Sequence, residues 1–154
     1  MKRTKAIEIL DEAKIRYEVG EFDATELTAE EVAAKLNLPL ESVFKTLVCQ
    51  GDKSGYCMAV VPGDKELNLK KLAKLIGDKK CDLIPLNDLQ RLTGYLKGGC
   101  SPLGGKKTFP IYIDSSANNF GRISVSAGLR GLQVFVAAND LARAAKAKFG
   151  ELVD

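Results

Sequence analysis

The chain has no histidine and no tryptophan. Without histidine there is no Ser-His-Asp or Cys-His nucleophile, no histidine general base and no histidine-bound metal. Its four cysteines are Cys49, Cys57, Cys81 and Cys100. None stand in C-x-x-C spacing, which argues against a zinc knuckle or a thioredoxin-like pair. The residues call for no metal and no other cofactor. No apolar run approaches the ~18 residues that cross a bilayer. No apolar segment follows the charged Met1-Lys2-Arg3, so no secretory leader is expected. The default is a cytoplasmic protein with reduced thiols and no membrane contact. There is no internal repeat, low-complexity tract or linker.

What is present fits one domain over residues 1–154. Apolar residues make up 45% and charged residues 28%, enough for a sizeable core. Charge is unevenly spread. Residues 1–66 carry 9 Lys/Arg against 13 Asp/Glu, and residues 67–107 carry 9 against 3. The basic middle suits a polyanion such as RNA, or is a solvated helix face bearing Lys70, Lys71 and Lys74. Nothing indicates DNA recognition.

Apolar spacing predicts a helix over Thr4–Ile15 with Thr4 as cap. A short strand follows over Arg16–Phe22. Thr28-x-x-Glu31 reads as a capping box opening a helix to Leu36, stopped by Asn37 and Pro39. Val43–Gln50 and Tyr56–Val61 read as a hairpin around Gly51–Gly55, with Cys49 and Cys57 as neighbouring buried thiols. A helix over Leu67–Ile76 has Asn68 as cap and Gly77 as stop. Cys81–Ile84 reads as a strand and Pro85–Leu92 as a helix. Strands are expected at Phe109–Asp114, Ile123–Ser126 and Leu132–Ala137, then a last helix Asp140–Phe149 capped by Asn139. Hairpins mixed with helical crossovers indicate a mixed sheet with helices packed on it, α/β or α+β.

The densest signal is Gly94–Lys107, which holds five of the fourteen glycines. Pro102 stiffens it, and Lys97, Lys106 and Lys107 add charge. Such a loop can gather bare N–H donors around one oxygen, an anion or oxyanion cradle. It can equally be a solvated connection between strands. It is neither G-x-x-x-x-G-K-[ST] nor G-x-G-x-x-G, so the anion need not be a nucleotide phosphate. Cys100 lies in this loop but has no histidine to activate it, and packing is its expected role; Ser101 lacks a base in the same way. Lys45 interrupts an otherwise apolar strand. It either points out to solvent or faces a cavity.

Three segments together resemble the YbaK/EbsC family, free-standing relatives of the bacterial prolyl-tRNA synthetase editing domain. They are Phe44-Lys45-Thr46-Leu47, Gly94–Lys107 with its Gly98-x-x-x-Pro102 core, and Val125-Ser126-x-Gly128-x-Arg130-Gly131. The resemblance covers nearly the whole chain, and the middle motif is long. The departure is the lack of a histidine within Tyr17–Asp23, where some relatives carry one. The resemblance implies a mixed, partly barrel-like sheet flanked by helices. It implies removal of cysteine from mischarged tRNA(Pro), in trans and beside prolyl-tRNA synthetase. In that picture the substrate's thiol attacks its own ester and leaves as a thiolactone. Amides of Gly98, Gly99, Cys100 and Ser101 hold the oxyanion. Lys45 anchors the substrate beside Phe44. Ser126, Gly128 and Arg130 hold the terminal adenosine and its phosphate, and Tyr17 lines the pocket. Deacylation of another small amino acid by water, or a non-catalytic module that binds tRNA or synthetase, are the competing readings. A role in cell-surface expression, once attached to the EbsC name, has no support in the residues.

Overall fold

The computed structural model describes residues 2–154. Thirteen helices and strands follow one another: α1 (Lys5–Glu12), β1 (Tyr17–Glu21), α2 (Ala29–Leu36), β2 (Phe44–Gly51), β3 (Tyr56–Pro62), α3 (Leu69–Ile76), β4 (Cys81–Leu83), α4 (Leu89–Thr93), β5 (Ile111–Asp114), β6 (Ile123–Leu129), β7 (Leu132–Val136), α5 (Ala138–Ala145) and β8 (Lys148–Gly150). The expected mixed α/β class holds. The strands form a three-stranded sheet, β1-β7-β6, and a five-stranded one, β4-β2-β3-β5-β8. One parallel bridge, Val43 to Ser124, stitches the two together.

The caps explain where helices begin. Thr4 accepts from the Ile7 N–H, Thr28 from Glu31 and Asn68 from Lys71. Left-handed Asn37 and Gly77 end α2 and α3. Alternation along the hairpin then sorts two cores. Phe44, Val48, Met58 and Val60 face the main core with Ile7, Leu10, Val125, Val134 and Leu141. Cys49, Cys57, Ala59 and Val61 face a smaller one roofed by Leu72 and Ala73 of α3. Cys49 and Cys57 are direct cross-strand partners and free thiols. Burial pushes them up to about 12 and about 11, so both stay protonated at neutral pH.

Four expectations need correction. Asn139 does not cap the last helix, which starts at Ala138 after Ala137 without a side-chain cap. Nor does that helix reach Phe149. Lys146 turns left-handed at φ 54°, the Ala147 N–H closes onto Ala142, and the chain leaves as β8, parallel to β5. The Ala/Lys pattern satisfies a helix, but Phe149 packs on the main core from the sheet edge. The segment Pro85–Leu92 divides into a 3-10 turn, Leu86–Asp88, and the short α4, which runs on to Thr93. β6 also runs past Ser126 to Leu129, with an irregularity between those residues.

Candidate active site

β4 pairs only with Cys49–Gly51 of β2. The first half of β2 therefore has β3 on one side and an open edge on the other. A cavity of about 580 Å³ lies along that edge. Its wall includes five consecutive β2 residues, Phe44, Lys45, Thr46, Leu47 and Val48. Consecutive residues alternate faces, so only an open strand edge lets all five line one space. Across the gap stand Ser126 of β6 and Gln133 of β7, which are register partners. Lys97, Gly98 and Cys100 supply another wall, and Phe22, Leu27 and Thr28 a third. Leu83 and Leu86 stand exposed on the rim.

Lys45 is half-buried in this wall and makes no hydrogen bond or ion pair among the described residues. Of the nearby carboxylates, Glu30 and Glu66 are exposed, and Glu31 is fully engaged elsewhere. A cation left unpaired at a cavity is a ready partner for an anionic or carbonyl ligand.

The Gly-rich loop is held by its own contacts. The Lys106 N–H donates to Thr93 O at 2.8 Å, closing its two ends. The Tyr95 hydroxyl donates to Leu103 O, and its ring lies against Gly128. Ser101 is completely buried, and its Oγ accepts from the Leu103 N–H. Pro102 is buried with it. These two residues shape the loop and are not part of the cavity wall. The Gly99 N–H is consumed by Leu96 O at 2.9 Å. The amides of Gly98 and Cys100, both in the wall, have no protein acceptor among the described residues. Gly99 is pressed against hairpin backbone: a Cβ there would lie 3.1 Å from the Arg130 N. Arg130 stands outside the wall on the exposed hairpin, and its Nε donates to Lys97 O at 2.7 Å. The Gly128 N–H donates to Ser126 Oγ at 3.1 Å.

Cys100 is half-buried in the wall, and burial pushes its thiol up to about 12. It is a neutral thiol near pH 7, without the cation or base that a nucleophile requires.

Tyr17 is not brought to the cavity. It sits at the start of β1, opposite Val136, and its hydroxyl donates to Asp11 Oδ1 at 2.7 Å. Phe22, just beyond the other end of β1, lines the space instead. The residues missed by sequence reasoning are Phe22, Leu27, Thr46, Gln133 and the clasp residue Glu31.

Glu31 departs from the capping-box expectation. Its carboxylate does not return to Thr28. It accepts from the N–H groups of Thr25, Glu26 and Leu27, from the Thr25 hydroxyl, and from Lys35 Nζ at 2.9 Å. The side chain is 2% exposed, covered by the single layer of loop it organises. This clasp fixes the wall that carries Leu27, which is itself at φ 63°. The hydrogen bonds, from Thr25 foremost, hold the carboxyl well below the usual carboxylate range. A depressed folded value means that the stabilisation is fully present above the unfolded value near 4.5 and is lost as pH falls towards the folded one. Glu31→Gln is therefore expected to lower Tm at pH 7 and to flatten the acid limb of a Tm-versus-pH curve. An unchanged curve would remove the clasp.

Residues 24–144 match the aminoacyl-tRNA editing domain family. The chain belongs to that family. It is 42% identical over 98% of its length, and over 93% of the relative, to an Enterococcus faecalis protein assigned the name Cys-tRNA(Pro)/Cys-tRNA(Cys) deacylase EbsC. It is also 38% identical over 52% of its length to a proline–tRNA ligase of Thermosipho africanus, where the match covers 14% of that longer enzyme. A crystal structure described as a trans-editing enzyme for prolyl-tRNA synthetase superposes with a TM-score of 0.88 at 23% identity, covering 100% of this chain and 99% of the other, and shares its fold. None of the described helices is long and apolar enough to cross a membrane.

Proposed function

We propose that this chain is an editing deacylase acting in trans, as a single editing domain, to clear cysteine from mischarged Cys-tRNA(Pro). One observation carries the reading. Lys45, whose ammonium is unpaired among the described residues, and Gly98 and Cys100, whose amides are unclaimed among them, line the same cavity in a chain with no histidine and no ionised thiol there. The editing family and the name of the enterococcal relative support it.

An aminoacyl ester is already activated, so placement and charge stabilisation suffice. Lys45 anchors the substrate's terminal ribose, phosphate or aminoacyl group beside Phe44. The Gly98 and Cys100 N–H groups receive the ester oxygen as it becomes an oxyanion. The substrate's own sulfur attacks the carbonyl carbon, forming the C–S bond of a thiolactone. The ester C–O bond breaks, and the tRNA hydroxyl takes the proton the thiol gives up. Ser126, Gly128 and Arg130 hold the terminal adenosine and its phosphate. Of these Arg130, exposed on the hairpin, suits a phosphate. Prolyl-tRNA synthetase is the partner this role implies.

The test is deacylation of Cys-, Ser- and Ala-tRNA(Pro) by the purified protein and by Cys100→Ala. Loss of cysteine alone, retained in Cys100→Ala, supports attack by the substrate thiol. Loss of alanine or serine requires water as nucleophile and another specificity. A Cys100→Ala protein that is folded yet inert would restore the enzyme's thiol as nucleophile. Three intact esters would leave a binding module.

A further inference from the structure

Gln133 has a place in the cavity that nothing in the catalytic scheme above uses. It sits at the centre of the three-stranded sheet, opposite Gly20 on one side and Ser126 on the other. It is only 5% exposed. Its Oε1 accepts from the Ser124 hydroxyl at 2.7 Å, a bond buried within the protein. Its Nε2 has no protein acceptor among the described residues, and the side chain lines the cavity. Buried polar groups are nearly always satisfied, and those facing a cavity are satisfied by what enters it.

We infer that Gln133 is a substrate-binding residue whose carboxamide N–H groups donate to an oxygen on the aminoacyl–ribose end of the tRNA. This rests on the deacylase reading. The chemistry follows from which end of the amide is free. Ser124 takes the oxygen, so the cavity meets two N–H donors and no charge. A neutral donor at that depth favours a carbonyl or hydroxyl oxygen and offers nothing to a substrate ammonium. Lys45 supplies the only cationic donor in that wall from β2, so Gln133 adds direction without adding charge.

The experiment compares wild type with Gln133→Leu and Gln133→Glu. Leucine keeps the bulk and removes the donors; glutamate keeps the shape and presents an acceptor. Turnover of Cys-tRNA(Pro) is measured alongside binding of 3′-cysteinylamino-3′-deoxyadenosine, whose amide link cannot be cleaved in place of the ester. Gln133→Leu is expected to lower kcat/KM and weaken analogue binding by about tenfold, with a lowered Tm because the buried Ser124 hydroxyl loses its acceptor; Gln133→Glu keeps that acceptor and so separates the loss of binding from the loss of stability. Gln133→Glu is expected to lose more than Gln133→Leu, because its carboxylate meets an oxygen acceptor. Equal binding by wild type and Gln133→Leu overturns the inference, as does wild type that fails to bind the analogue. Failure of the deacylase reading looks different: wild type binds the analogue in a Gln133-dependent way but cleaves no ester.

Discussion

Lys45→Ala is expected to lose deacylation by at least a hundredfold while remaining folded. The two halves of that statement come from the same geometry. The Lys45 side chain makes no hydrogen bond and no ion pair within the described protein, so nothing native depends on its ammonium. A half-exposed residue of this kind shifts stability by no more than about 0.5 kcal/mol when truncated. The ammonium nevertheless stands in the cavity wall, on a strand fixed by seven register pairs with β3, including Lys45 with Val61. A cation carried on a fixed strand can place a substrate without acting as a base. Single-turnover deacylation together with thermal melting decides it. Full activity would remove Lys45 from the mechanism, and a collapsed Tm would show that it is structural.

Gly98→Ala is the second large effect. Gly98 sits at φ 83°, where an L side chain costs about 1–2 kcal/mol. A Cβ there would also lie 2.9 Å from the Leu27 Cβ. Leu27 cannot easily yield, since its N–H is held by Glu31 at 3.1 Å. The strain falls on the loop, which carries the Gly98 and Cys100 amides. Losing one aligned oxyanion donor costs about a hundredfold to a thousandfold in kcat. We expect a fall of that size in kcat with KM little changed and a folded protein. A normal kcat would mean that the loop amides do not meet the oxyanion.

Lys45 and Gly98 were legible in the sequence for different reasons. Gly98 belongs to a dense local motif, and such a loop announces its backbone chemistry by composition. Lys45 broke an apolar strand, which left solvent or a cavity open, and the structure puts the residue in the cavity wall. Tyr17 was misjudged because a strand of known position still has two ends. Its hydroxyl goes to Asp11, six residues back in the chain, while Phe22 reaches the cavity. Gln133 was invisible because it looks like any polar residue on an alternating strand. Only its pairing with Ser126 and the bond from Ser124 show which end faces inward.

Local rules thus determined the helix starts at Thr4, Thr28 and Asn68, the hairpin around Gly51–Gly55, the loop, the mixed α/β class and the family to which the motifs point. These depend on residues within a few positions of each other, where capping and turn chemistry act. The tertiary structure decided that β8 replaces the end of the last helix. It also decided that Glu31 clasps a loop instead of closing a capping box, and that Phe22, Leu27, Thr46 and Gln133 share a cavity with Lys45. The physical reason is the open edge of β2. That edge exists because β4 is only three residues long and because, among the described residues, the bridge from β6 to the other sheet is confined to Val43 and Ser124. Which strands pair, and how far, is a balance of burial across the whole chain, and no short stretch of sequence contains it.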